Sequence, residues 1–90
     1  DCVFPEVRFL YLAKNQIGDA GAVAIARSGF PLTLRVLDLR ENPISRTGAE
    51  PLAESLAGGP LTGLTLSAKP LGRRGVRRIG EILGQRVRFV

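Results

Sequence analysis

Hydrophobic positions along the chain follow two spacings, and the change from one to the other recurs. Pairs two residues apart come first: Leu10 and Leu12, Leu37 and Leu39, Leu64 and Leu66. Such alternation predicts short strands that each bury one face. Spacings of three and four follow: Ile17, Gly21 and Ile25; Ile44, Gly48, Leu52 and Leu56; Leu71, Gly75, Ile79 and Leu83. These place one apolar stripe on a helix. Strand then helix, three times over, predicts parallel strands joined by right-handed helical crossovers.

The units also agree position by position. Val7-x-x-Leu10-x-Leu12-x-x-Asn15-x-Ile17-x-x-x-Gly21-x-x-x-Ile25 returns 27 residues on as Leu34-x-x-Leu37-x-Leu39-x-x-Asn42-x-Ile44-x-x-x-Gly48-x-x-x-Leu52. It returns again as Leu61-x-x-Leu64-x-Leu66-x-x-Lys69-x-Leu71-x-x-x-Gly75-x-x-x-Ile79, with only the Asn slot altered. Self-similarity at this period signals a solenoid, in which a unit buries its strand and helix only by stacking on neighbours. The repeats fall at about 7–33, 34–60 and 61–86, and 87–90 reads as the opening strand of a fourth. Residues 1–90 are expected to form a single domain. Residues 1–6 are too few for a full N-terminal cap, although Phe4 is placed to cover part of the first repeat. A piece of a longer array is therefore expected.

The motif L-x-x-L-x-L-x-x-N-x-I/L, followed by Gly21-Ala22 with Ile25-Ala26 and Gly48-Ala49 with Leu52-Ala53, resembles the leucine-rich repeat. Its helix-bearing form is similar to the ribonuclease-inhibitor-like subclass, which includes Ran GTPase-activating proteins and the sensor arms of nucleotide-binding receptors. The resemblance implies an α/β superhelix, right-handed, with a parallel sheet on the concave face and helices on the convex face. It further implies that Asn15 and Asn42 bond the backbone of adjacent turns in a buried ladder. Lys69 accepts no hydrogen bond, so the ladder is expected to end there.

Small and capping residues refine the units. Gly21, Gly48 and Gly75 sit near each helix start, where a side chain would push helix and strand layers apart; a helical Gly costs about 0.5–1 kcal/mol relative to Ala, so its return implies a steric need. Pro43 and Pro70 fix φ in the loop after the strand. Gly18 or Asp19 is expected to cap the first helix, and Thr47-x-x-Glu50 reads as a capping box for the second. Pro51 predicts a late, short or distorted start to that helix. Gly29 with Pro31, and Gly58-Gly59-Pro60, mark helix stops.

Composition then limits the chemistry. The 90 residues contain one cysteine, Cys2, and no histidine. An internal disulfide framework is excluded, which fits a reducing, intracellular and cytoplasmic setting. Histidine triads and histidine metal sites are excluded too. No glycine-rich phosphate loop or secretory signal appears, and no apolar run approaches the roughly 20 residues of a membrane span. No enzyme activity, cofactor, metal or membrane contact is expected.

If the leucine pairs point inward, the residues between and beside them face the concave surface. Those expected to meet a partner are Phe9, Tyr11, Val36, Asp38, Arg40 and Thr65, with Ala13, Gly63 and Ser67 on the same face. Phe9 and Tyr11 are the informative pair, because large aromatics on an open strand face suit an interface anchor. They equally suit packing on a preceding repeat or on each other. The net charge of +5 resides in the last third, where Lys69, Arg73, Arg74, Arg77, Arg78, Arg86 and Arg88 face Glu81 alone. Arg73, Arg74, Arg77 and Arg78 form a candidate anion patch, or else a solvated helix face. No aromatic residue interleaves with them to stack bases, so nucleic acid is not the expected ligand.

The reading that follows is a non-catalytic interaction module or scaffold that docks another protein on its strand face. Regulation of a small GTPase, in the manner of the Ran GTPase-activating relatives, is the alternative that the resemblance implies. Polyanion binding through the arginines is a third, and self-association through open solenoid ends is a further possibility for the partner.

Overall fold

The computed structural model describes residues 8–28 and 33–90. Phe4, the rest of the first residues, and the Gly29–Pro31 stop lie outside them. Four strands, β1 (Phe9–Tyr11), β2 (Val36–Asp38), β3 (Gly63–Leu66) and β4 (Val87–Phe89), form one parallel sheet in chain order. Helices α1 (Asp19–Arg27), α2 (Arg46–Ala57) and α3 (Ala68–Leu83) carry the crossovers. This is the α/β solenoid that the pattern predicts.

The register repeats the sequence period. Leu10 pairs with Leu37 and Leu37 with Leu64, so the leucines of successive units lie side by side. Leu34, Leu37, Leu39, Leu52, Leu56, Leu64, Leu66 and Ile79 are fully buried between sheet and helices. The last step is shorter. Leu64 pairs with Val87, because a 3-10 turn at Gly84–Arg86 brings the chain back early. Gly84 has φ 60°, a left-handed conformation that glycine adopts without a Cβ clash.

Helix starts differ from two sequence expectations. Gly18 is the N-cap of α1, as expected, but Ser45 rather than Thr47 occupies that place in α2. Glu50 therefore closes no capping box. Its carboxylate bonds Arg46 and Arg78 instead. Nor does Pro51 delay α2: the helix begins five residues before it and runs through it, losing only the bond to the Thr47 carbonyl. In α3 the residue equivalent to Gly18 and Ser45 is Gly72, which breaks the helix with φ 69°. The regular helix thus restarts at Arg73, in step with Asp19 and Arg46.

The recurring glycines meet different neighbours from those expected. A Cβ on Gly48 would lie 2.6 Å from the Asp19 Cα, so the constraint is the preceding helix, not the strand layer. On Gly75 it would meet Leu71 at 2.9 Å and the Arg46 Cβ at 3.5 Å, and on Gly21 it would meet Ile17 at 2.7 Å. The steric need is real, and it partly sets the spacing between repeats.

Candidate functional site

The sheet register assembles the strand-face residues into rows. Tyr11, Asp38, Thr65 and Arg88 form one row, and Phe9, Val36 and Gly63 form the next. With neighbouring strands about 4.8 Å apart, the four-residue row spans about 14 Å, enough for one helix of a partner. Phe9 is 57% exposed and Tyr11 66% exposed, and among the described residues Val90 is the other large hydrophobic that is exposed. Their alternation partner Leu10 points the other way, against the core.

The charged members of the face are partly occupied. Asp38 is almost buried, and its carboxylate accepts from the Arg40 amide at 3.2 Å and pairs with the Arg40 guanidinium at 3.3 Å. Lys14 and Glu41, at equivalent places in the loops after β1 and β2, pair at 3.7 Å, and both have φ near 60°. Arg88 is exposed on the Tyr11 row and was not singled out from sequence. Its place depends on the early return at Gly84, which the 27-residue period does not announce.

Val36, Gly63, Thr65, Arg86 and Arg88 help line a depression of about 260 Å³. A Cβ on Gly63 would meet nothing within 4 Å, so the missing side chain leaves the face open. The volume is below the ~300–1,000 Å³ usual for small-molecule sites, and the depression suits a protruding side chain better. Arg86 adds little free charge there, since it donates to the Leu83 and Ala57 carbonyls at two helix ends.

The four arginines of α3 do not share one surface. Arg78 turns toward α2 and meets Glu50 at 3.1 Å, Glu54 at 3.8 Å and Glu81 at 4.0 Å. Hydrogen bonds from Arg78, then Arg46, hold the Glu50 carboxyl below its ordinary value. Arg73 and Arg77 are exposed on the side of α3 away from α2, and Arg74 is exposed on the convex surface, like its equivalents Ala20 and Thr47.

The asparagine ladder has one full rung. Asn42 Nδ2 donates to the Leu12, Leu39 and Arg40 carbonyls at 2.8, 3.0 and 3.2 Å. Its Oδ1 accepts the Asn15 and Ile17 amides, each at 2.9 Å. Asn15 is exposed, and its side-chain amide donates to the Ala13 carbonyl at 3.0 Å. Lys69 is exposed within the extra first turn of α3, and the Ser67 hydroxyl accepts the Glu41 amide at 2.6 Å.

Among the described residues no cluster of metal-ligating side chains occurs, and no helix is long and apolar enough to cross a membrane. The leucine-rich repeat family model matches residues 7–26 and 31–53. No curated protein and no solved structure matches the chain. The matched stretches take in β1 with most of α1 and β2 with the first part of α2, the sheet carries the same register into the third unit, and Asn42 bridges two units: the chain carries leucine-rich repeats.

Proposed function

We propose that the protein is a non-catalytic module that binds another protein on the concave strand face, anchored by Phe9 and Tyr11. Leucine-rich repeats generally mediate protein–protein interaction, and curved solenoids use such faces for extended contacts. The observation that carries the reading is the exposure of two large aromatic side chains on β1, beside half-buried and buried residues of β2 and β3. Buried aromatic anchors with a polar surround dominate the energetics of protein interfaces. Asp38, Arg40, Thr65 and Arg88 supply that surround, and the depression at Gly63 receives a side chain of the partner. The strand–helix unit and its 27-residue spacing support the ribonuclease-inhibitor-like subclass. They also support one domain of three repeats and a partial fourth.

Quantitative affinity capture with wild type, Phe9→Ala, Tyr11→Ala and Arg74→Ala tests this reading. Partners retained by wild type and by the convex-face variant, but lost with both aromatic variants, are expected. For a purified partner, Tyr11→Ala weakens binding by roughly 30-fold, the size of a hot-spot loss of about 2 kcal/mol. Retention of the same partners by all four proteins defeats the proposal.

A further inference from the structure

Side chains shrink along one row of the strand face. Phe9 on β1 is followed by Val36 on β2 and by Gly63 on β3. The missing side chain leaves the depression of about 260 Å³, and Thr62, Thr65, Gln85 and Arg88 line it beside Val36. It is bounded by β2 on one side and by β4 on the other. A strand added to a parallel sheet lies beside it and not over its face, so this depression does not owe its openness to either end of the chain.

The charges around it do not balance. The carboxylates of the face are held by its own cations, Asp38 by Arg40 at 3.3 Å and Glu41 by Lys14 at 3.7 Å. No carboxylate lines the depression, and Arg86 is engaged by two carbonyls. Arg88 and, at the start of β2, Arg35 are exposed, and neither enters an ion pair among the described residues. Thr65 lies beside Arg88 in register, and its hydroxyl makes no hydrogen bond among the described residues.

From this excess we infer that the depression receives the side-chain carboxylate of an Asp or Glu on the partner protein. The inference rests on the reading that a partner docks on the concave face, and it names the chemistry of one contact there. The carboxylate enters over Gly63, pairs with the Arg88 guanidinium and accepts from the Thr65 hydroxyl. Charge-assisted bonds of this kind are the strong ones. Tyr11 lies two strands from Thr65, about 10 Å away, so one segment of the partner carries both the acid and the residue that packs on the aromatics. A basic residue in the same place meets Arg88 as a like charge, which gives the contact its specificity.

The probe is a phage-displayed library of helical peptides, depleted on the Gly63→Val variant, whose side chain fills the depression, and then panned on the whole wild-type chain. Circular dichroism melts check that Gly63→Val and Arg88→Ala leave the fold intact. Enriched peptides are expected to share an Asp or Glu, and each is then measured by fluorescence anisotropy. Changing that acid to its amide should weaken binding to wild type by roughly tenfold and binding to Arg88→Ala by less than about twofold, because the pair is already lost there. No enriched peptide, enriched peptides without a shared acid, or equal losses on wild type and Arg88→Ala overturns the inference. Peptides that need Tyr11 but show no coupling to Arg88 overturn it while the concave reading stands. Peptides coupled to Arg88 and indifferent to Phe9→Ala and Tyr11→Ala uphold it and remove the aromatic anchors from that reading.

Discussion

At the junction between the first two repeats, Asn42 ties three carbonyls and two amides together, and Asp19 accepts the Ser45 amide at 2.7 Å and its hydroxyl at 2.5 Å. At the next junction both devices are gone: Lys69 replaces the asparagine, Arg46 stands where Asp19 stood, and Gly72 where Ser45 stood. Arg78 bridges the helices there through Glu50 and Glu54 of α2, and the Ser67 hydroxyl serves the loop. The leucine frame and the helix contacts are shared. The comparison teaches that one apolar repeat tolerates two polar solutions with different physics. Short bonds to backbone groups in a half-buried loop are little affected by salt. Ion pairs between exposed side chains are screened and titrate.

The comparison breaks most severely at Asn42. Asn42→Ala takes this partner from the Asn15 and Ile17 amides and from the Leu12 and Leu39 carbonyls, while the Arg40 carbonyl keeps the Lys14 amide, and a buried unsatisfied group costs about 1–3 kcal/mol. Partial access of water to this loop limits the total to about 3 kcal/mol in urea denaturation. Hydrogen exchange should show α1 opening first, because solenoid stability depends on nearest-neighbour contacts. A loss below about 1 kcal/mol would mean that apolar packing alone holds this junction.

Gly48→Ala ranks second. Its Cβ meets backbone of α1 at 2.6 Å, and overpacking of this kind costs about 1–3 kcal/mol. Gly63→Ala provides the contrast, since its Cβ meets nothing, and its melting temperature should stay close to wild type. If both variants melt together with wild type, the helices are not spaced by this contact. Asp19→Ala is third: it removes two hydrogen bonds to Ser45 and should cost about 1–2 kcal/mol, with little change between low and high salt. A strongly salt-dependent cost would show that the two junctions are not the different kinds described here.

Most of the architecture was legible because leucine spacing alone dictates which faces can be buried. Leu10, Leu37 and Leu64 fall in register, and Gly21, Gly48 and Gly75 recur where close approach demands it. The helix starts were less legible. Thr47 and Glu50 have capping-box spacing, yet Glu50 finds two guanidiniums, one of them 28 residues away in sequence. A long-range ion pair competes with a local bond, and local spacing cannot report it. The same holds for the arginines. Their sequence clustering gives one patch, while helical geometry sends Arg78 to α2, Arg74 outward, and Arg73 and Arg77 to the side of α3 away from α2. The strand-face residues followed from alternation, but Arg88 joined them through a turn that shortens the last step.

Glu50→Gln gives the smallest expected effect and the sharpest test of the second junction. Arg78 and Arg46 hold the Glu50 carboxyl below its ordinary value, so folding favours its ionised form. That contribution is fully present above the unfolded-state value of about 4.3 and disappears as pH falls through the lower folded-state value. Wild type should therefore lose part of its stability on acidification that Glu50→Gln has already lost at neutral pH, and their melting temperatures should converge in acid. Salt at 1 M, where the Debye length is about 3 Å, should narrow the neutral-pH difference as well. Asp19→Ala should keep its deficit under that salt. If Glu50→Gln and wild type instead differ by the same amount from neutral pH into acid, the carboxylate contributes nothing between α2 and α3. The apolar contacts of Leu52, Leu56 and Ile79 would then hold that junction by themselves.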